Sequence, residues 1–232
     1  SKLSKKPLVK KPSKHWYLRF DHFKDQLAKW IEKKSWKENV VNFAMRYIKD
    51  LHPRAITRDS KWGIPLPLKD TEGKVFYVWF DAPIGYVSNT KEALKGSDED
   101  YLKDWWQNPD TELTHFIGKD NIVFHGIIFP MMSLASKRVR AVSNLPANQY
   151  LNLEGKKLSK SSGWYIDANK AVNEFGTDAL RYYLTTLIPE TNDSSFTWDG
   201  FEAKINNELA NNIGNFVNRC LIFFYKNWNE GI

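Results

Sequence analysis

At 232 residues and 27.1 kDa, the chain has room for one large domain or one and a half ordinary ones. Hydrophobic residues make up 42% and charged residues 26%, enough for a core, which excludes a disordered chain. No apolar run approaches the roughly 20 residues of a membrane span and no apolar signal region opens the chain, so the expectation is a soluble, cytoplasmic protein with no membrane partner.

The single cysteine, Cys220, excludes an internal disulfide and a cysteine-based zinc knuckle within the chain, and no other metal site is expected. Net charge is +7, but residues 1–14 carry six lysines (Lys2, Lys5, Lys6, Lys10, Lys11, Lys14) and no acid. A basic arm can neutralise phosphates, and it can equally be a solvated tail. Bulk charge therefore identifies no partner.

Behind the arm, Phe23, Leu27, Trp30 and Ile31 fall on one helical face. A second helix is expected with Asn39 as its cap and Val40, Ala44, Tyr47, Ile48 and Leu51 as its apolar stripe. Pro53, Gly63, Pro65 and Pro67 mark residues 53–68 as loop or edge strand. Val75-Phe76-Tyr77-Val78-Trp79-Phe80 then predicts a strand buried on both faces of a parallel sheet, with Pro83 opening a helix. Thr114-His115-Phe116-Ile117 predicts a shorter strand leading, past Gly118, into another helix from about Asn121. Strand, polar loop and helix recurring in this way point to an α/β layered fold, in which ligands bind at the carboxyl ends of strands. The residues after 80 and after 117 are accordingly the candidates for a site. Short helices are expected around 167–175 and 177–188, and a long amphipathic one from about Asp199, carrying Phe201, Ile205, Leu209, Ile213, Phe216, Val217 and Leu221.

Between Gly155 and Gly163 lie three lysines and three serines, in Gly155-Lys156-Lys157-Leu158-Ser159-Lys160-Ser161-Ser162-Gly163. Ammonium groups on a loop that glycines leave free to change shape can close over a polyphosphate. By composition alone a solvated lysine turn fits as well.

Three segments together resemble a known family. Lys157-Leu158-Ser159-Lys160-Ser161 resembles the Lys-Met-Ser-Lys-Ser signature of class I aminoacyl-tRNA synthetases, with Leu158 as a volume-conserving replacement for methionine. Tyr77-Val78-Trp79-Phe80-Asp81-Ala82-Pro83-Ile84-Gly85-Tyr86 is similar to the amino-acid-pocket segment of methionyl-tRNA synthetases, and His115-Phe116-Ile117-Gly118-Lys119-Asp120, through Phe124-His125, to that family's next block. Arg58-Asp59 before Trp62-Gly63-Ile64-Pro65 also resembles the segment entering the second half of its catalytic fold.

The resemblance implies the second half of a Rossmann-like class I catalytic domain over 1–150, a stem-contact segment over 151–195, and the first helix of an α-helical anticodon-binding bundle over 196–232. It implies a methionine pocket formed or supported by Trp79, Ala82, Pro83, Tyr86, Phe124 and His125. A thioether is soft and polarisable and favours such aromatic walls. Gly118 and Asp120 would face the ribose of ATP, Asp120 alternatively the methionine ammonium, and Leu151 would offer backbone to the adenine. Lys157 and Lys160 would stabilise the transferring phosphates, with Ser159 beside them, while Arg58 would pair with active-site carboxylates. Mg²⁺ would arrive with ATP, held by phosphate oxygens. The activity implied is ATP-dependent activation of methionine to methionyl-adenylate and transfer to tRNA(Met). No His-x-Gly-His segment occurs, nor the cysteine-ligated zinc insertion common in the family, so the chain is expected to be a carboxy-terminal section of the catalytic region and inactive by itself. The alternatives are a class I synthetase for another aliphatic amino acid and a non-catalytic tRNA-binding module.

Overall fold

In the computed structural model, described for Pro7 and residues 9–228, the chain divides into two compact units, 1–146 and 147–232. Lys2, Lys5 and Lys6 of the basic arm lie outside the described residues. Among the described residues no helix is long and apolar enough to cross a membrane.

In the first unit, strand β1 (Tyr17–Leu18) precedes two helices, α1 (Lys24–Glu32) and α2 (Glu38–Lys49), and then pairs antiparallel with β2 (Arg54–Ala55). The helical periodicity holds: Leu27 and Ile31 of α1 and Val40, Ala44 and Ile48 of α2, with Leu51 just beyond, are all buried. Asn39 does not cap α2. Lys37 precedes the first helical residue, and Asn39 sits within the first turn, its side-chain oxygen accepting from the Val40 amide at 2.9 Å.

The expected six-residue strand over 75–80 is cut short. Strand β3 (Thr57–Asp59) pairs antiparallel with β4 (Lys74–Phe76), register Thr57 to Phe76, and the ladder ends there. The Tyr77 amide still reaches the Ile56 carbonyl (2.8 Å), but the Phe80 and Ala82 amides turn back to the carbonyls of Tyr77 (2.7 Å) and Val78 (2.8 Å). With no partner strand to continue the ladder, the chain satisfies its donors locally as helix α3 (Val78–Asp81). Val78 and Trp79 consequently face outward, 55% and 37% exposed. Helix α4 (Ile84–Ala93) follows directly behind Pro83.

Of the second expected strand only β5 (Ile117–Gly118) is regular, while the His115 and Ile117 amides bond the carbonyls of Asn144 (3.0 Å) and Pro146 (3.0 Å). A π-helical segment, Val123–Ile128, runs straight into α5 (Phe129–Ser136) and is buried from His125 to Ile128. Close packing here depends on Gly126, where a Cβ would lie 2.9 Å from Leu145 Cδ2 and 3.6 Å from the Trp36 ring.

The second unit starts with β6 (Ala147–Asn148) and centres on a three-stranded sheet: β7 (Leu151–Leu153) lies between β8 (Lys156–Lys157), antiparallel to it, and β9 (Ser194–Phe196), parallel to it. Helices α6 (Ala168–Phe175) and α7 (Thr177–Thr186) form the crossover, matching the sequence expectation, and Asp167 caps α6 through the Lys170 amide (3.0 Å). Leu153, Ala171, Leu180, Tyr183, Phe196 and Phe201 make its core. From Trp198 the chain is helical to Asn227: α8 (Trp198–Lys204), a π-helical stretch, then α9 (Asn215–Asn227). Phe201 is buried, whereas Phe216, Val217 and Leu221 on the same stretch are exposed.

Gly126→Val overfills the Leu145–Trp36 contact and should lower stability by about 1–3 kcal/mol in urea unfolding. Gly85→Ala, on a helix with nothing within 4 Å of the added methyl, should instead raise it by up to about 1 kcal/mol.

Candidate active site

Helices α3 and α4 and the segment from Phe116 to His125 enclose a cleft of about 320 Å³, at the small end of ligand pockets. Trp79, Ala82, Pro83 and Tyr86 line one wall; Phe116, Ile117, Gly118, Asn121 and His125 line the other. Because β4 ends at Phe76, the helical turn that replaces it presents Trp79 to the cleft instead of burying it in a sheet. Its indole stacks on Phe124, with ring centroids 4.7 Å apart and planes within 18°. Phe124 thus supports the cleft from behind Trp79.

Tyr86 and His125 make the polar end. The phenol lies 2.8 Å from His125 Nε2, and His125 Nδ1 lies 3.0 Å from the Asn121 carbonyl oxygen. Behind them His115 packs against Tyr86 at 4.5 Å, edge-on to His125 at 5.2 Å, and against Phe129 at 5.6 Å. His115 is buried, and neither of its ring nitrogens has a hydrogen-bond partner among the described residues. Burial, and after it the nearby His125, pushes the His115 ring down to about 4. Burial also lowers His125, partly offset by its bond to the Asn121 carbonyl. Both rings are therefore neutral at pH 7.

Asp120 is exposed on the short turn between Gly118 and Asn121 and is not among the lining residues. Arg58 finds no carboxylate among the described residues. It donates to the Thr57 carbonyl (2.7 Å), and its guanidinium lies 3.7 Å over the Tyr77 ring. The strand pairing of Thr57 with Phe76 puts those two side chains together, so a cation–π contact takes the place of the expected ion pair.

Leu151, Lys157, Ser159 and Lys160 belong to the second unit. Leu151 is half-buried in β7, and the lysine loop departs from β8. Its glycine ends do what the sequence suggested: Gly155 (φ +72°) and Gly163 (φ +74°) both turn through the left-handed region. Reciprocal backbone bonds of 2.8 and 3.0 Å between Ser159 and Trp164 close the loop. The Lys157 ammonium lies 4.7 Å over the Tyr150 ring, and Lys160 is exposed at the start of a 3-10 turn.

The structure thus gathers Trp79, Ala82, Pro83, Tyr86, Gly118 and His125 on one cleft, with Phe124 beneath. Sequence reasoning missed Phe116, Ile117 and Asn121 as lining residues, and His115 as the buried neighbour of the polar pair. The first three lie within or beside the quoted segment, so the signal was position at a strand end. His115 heads the same segment, but its burial against Phe129 and Tyr86, both distant in sequence, has no local signal.

Comparison with solved structures places this fold among class I methionyl-tRNA synthetase catalytic structures. The Mycobacterium tuberculosis methionyl-tRNA synthetase bound by methionyl-adenylate superposes with a TM-score of 0.78 at 24% identity, covering 94% of this chain and 42% of that one. A second structure of that protein with methionyl-adenylate gives 0.78 at 26% identity, with the same coverage. A family model described as tRNA synthetases class I (M) matches residues 1–221, and the chain belongs to that family. The methionine–tRNA ligase of Protochlamydia amoebophila is 51% identical over 227 residues, 97% of this chain and 32% of the relative; that of Bacteroides fragilis is 49% identical over 226 residues, 95% and 32%. The chain spans about a third of the length of the curated relatives it matches.

The depressed His115 value fixes the sign of a pH effect. The unfolded ring takes up a proton below its ordinary 6.5, whereas the folded ring resists until about 4, so stability is greatest above 6.5 and falls with acidification between those values. Between pH 7.5 and 5 the loss from His115 should be about 2 kcal/mol by urea unfolding, and His115→Phe should remove most of that slope.

Proposed function

We propose that this chain is the part of a methionine–tRNA ligase that holds the methionine side chain and carries the lysine loop, the whole protein forming methionyl-adenylate from methionine and ATP and passing the methionyl group to tRNA(Met). The observation that carries this reading is the cleft itself. Its Trp79 and Tyr86–His125 walls come from the two segments that resemble the family's amino-acid site, and the cleft is of a size for one small side chain.

Residue by residue, Trp79, Ala82, Pro83 and Tyr86 with His125 surround the thioether, Phe124 props Trp79, and Phe116, Ile117 and Asn121 complete the walls. An unbranched, polarisable side chain gains from aromatic faces on both sides. Gly118, with no Cβ, leaves room for the ribose at the strand end, and Asp120 offers a carboxylate to its hydroxyls or to the methionine ammonium. Leu151 presents backbone to the adenine. The methionine carboxylate attacks the α-phosphorus and pyrophosphate leaves; Lys157 and Lys160 meet the charge that grows on the phosphate oxygens, with Ser159 bonded alongside. Mg²⁺ bound to the phosphates would share that charge stabilisation. No side-chain nucleophile is needed, since positioning and electrostatics carry such a reaction. Residues 151–195 would contact the tRNA stem, and 196–232 would begin the anticodon-binding helices, where the exposed Phe216, Val217 and Leu221 would pack. Arg58 serves the site by bracing Tyr77 at the entrance to α3.

Methionine-dependent ATP–pyrophosphate exchange by the whole protein, with the substitutions placed in it, tests the assignment. Tyr86→Phe or His125→Ala should raise KM for methionine by about tenfold or more, the worth of one buried hydrogen bond and its orphaned partner, while KM for ATP changes little. Lys160→Ala should do the reverse, lowering kcat by about 10²-fold or more with KM for methionine nearly unchanged. An unchanged KM for methionine in both pocket variants would exclude the methionine reading.

A further inference from the structure

The second unit holds a cavity of its own, about 280 Å³, between the β7–β9 sheet and the crossover helices. Its origin lies in the helix pattern. Helix α6 lines it with Ala168 and Ala171, and α7 with Thr177, Leu180, Arg181 and Leu184, each set at three- and four-residue steps on one face. The two alanines are too small to fill the space that larger side chains would close. The floor is core, since Leu153, Leu180 and Phe196 are buried. The mouth is apolar as well, with Leu158, Val172 and Leu184 38%, 41% and 41% exposed.

Of the lining residues only Asn152, Thr177 and Arg181 are polar, and none is acidic. The Arg181 side chain makes no hydrogen bond or ion pair among the described residues; the Thr185 hydroxyl bonds only its backbone carbonyl (2.7 Å). A space of this size takes about nine waters at about 30 Å³ each, and each needs several polar partners that these walls lack. Water here is poorly bonded, and an apolar group that displaces it gains affinity. A guanidinium at the edge of such a space, with no carboxylate of its own, is matched by a carboxylate from outside through two parallel N–H···O bonds. We propose that this cavity binds an unbranched monocarboxylate of about six to eight carbons, its chain on Leu153, Leu180 and Phe196 and its carboxylate on Arg181. Leu158 lies between Lys157 and Ser159, so the bound chain also touches the lysine loop. Every residue involved belongs to the second unit, and the site stands or falls independently of the methionine reading.

Calorimetric titration of the whole protein with a series of carboxylates tests the site. Affinity should rise about fourfold per methylene from butanoate to octanoate, as apolar surface leaves water, and level off by dodecanoate. Octan-1-ol, with the same chain and no charge, should bind about tenfold or more weakly than octanoate, and Arg181→Met should abolish that difference. Methyl NMR should place octanoate-induced shifts on Leu158, Val172 and Leu184. Failure of the folded protein to bind octanoate would overturn the proposal, including the case in which another segment of the whole protein fills the cavity. An affinity that keeps climbing to dodecanoate, the mark of an open apolar surface, would overturn it too. The same holds for equal binding of octanoate and octan-1-ol, for an Arg181→Met variant that still prefers octanoate, and for shifts confined to other methyl groups. Ala168→Leu, which puts a larger side chain into the cavity, should weaken octanoate by about tenfold or more, and unchanged affinity would count against the site. If that variant does not fold, Arg181→Met, at an exposed position, carries the test.

Discussion

The contact on which the cleft depends is the 2.8 Å hydrogen bond between Tyr86 and His125. Tyr86 stands on α4, His125 on the π-helical segment that leads into α5, and nothing in local sequence obliges those elements to meet. A hydrogen bond between neutral groups contributes only about 1 kcal/mol net. Its weight here is geometric: it aligns two helices so that the Trp79–Phe124 stack forms one wall and the strand end at Ile117–Gly118 the other. The bond also ties exposed Tyr86 to buried His125, whose Nε2 would lose its partner if it broke.

That cluster carries a cost in stability. His115 occupies a buried position with both ring nitrogens unpartnered among the described residues, an arrangement a core built for stability alone would avoid. Phenylalanine would stack on Tyr86 and Phe129 equally well and would need no partner. The rest of the first unit offsets the cost by ordinary means: interdigitated Leu27, Ile31, Val40, Ala44 and Ile48, and the close approach at Gly126 that brings the π-helical segment against Leu145 and Trp36. Rigid packing on one side of His125 thus supports the polar arrangement on the other.

The second unit solves a different problem. Its lysine loop has a fixed base and an exposed tip. The base is made by β7 and β8, by the Trp164 indole donating to the Leu153 carbonyl (3.1 Å), and by the Gly155 amide donating to Ser195 (2.8 Å). Left-handed glycines at both ends let the chain reverse twice within nine residues, and Lys160 remains exposed at the tip. Electrostatic stabilisation by such a loop needs no burial of its cations, which keeps their desolvation cost small.

Much of the helical architecture was legible in the sequence, since helices α1, α2, α6 and α7 are local patterns of period 3.6. A cleft was legible too, through two of the segments that resemble the family, and seven of the residues named from them line or support it. The strand over 75–80 was misread for a clear reason. Its apolar run satisfied the pattern of a buried strand, but a strand exists only where another supplies hydrogen bonds, and β3 begins at Thr57, opposite Phe76, while Arg54 and Ala55 before it pair with β1.

The order of apolar and polar residues, the turn glycines and the family segments were determined by sequence alone, because each acts within a few residues. Which apolar residues would be wall and not core, which imidazole would be buried, and which imidazole would meet the Tyr86 hydroxyl were decided by tertiary structure. Those properties belong to pairs of groups far apart in the chain, such as Tyr86 with His115 and His125, and only the packing of one element on another sets the distance between them.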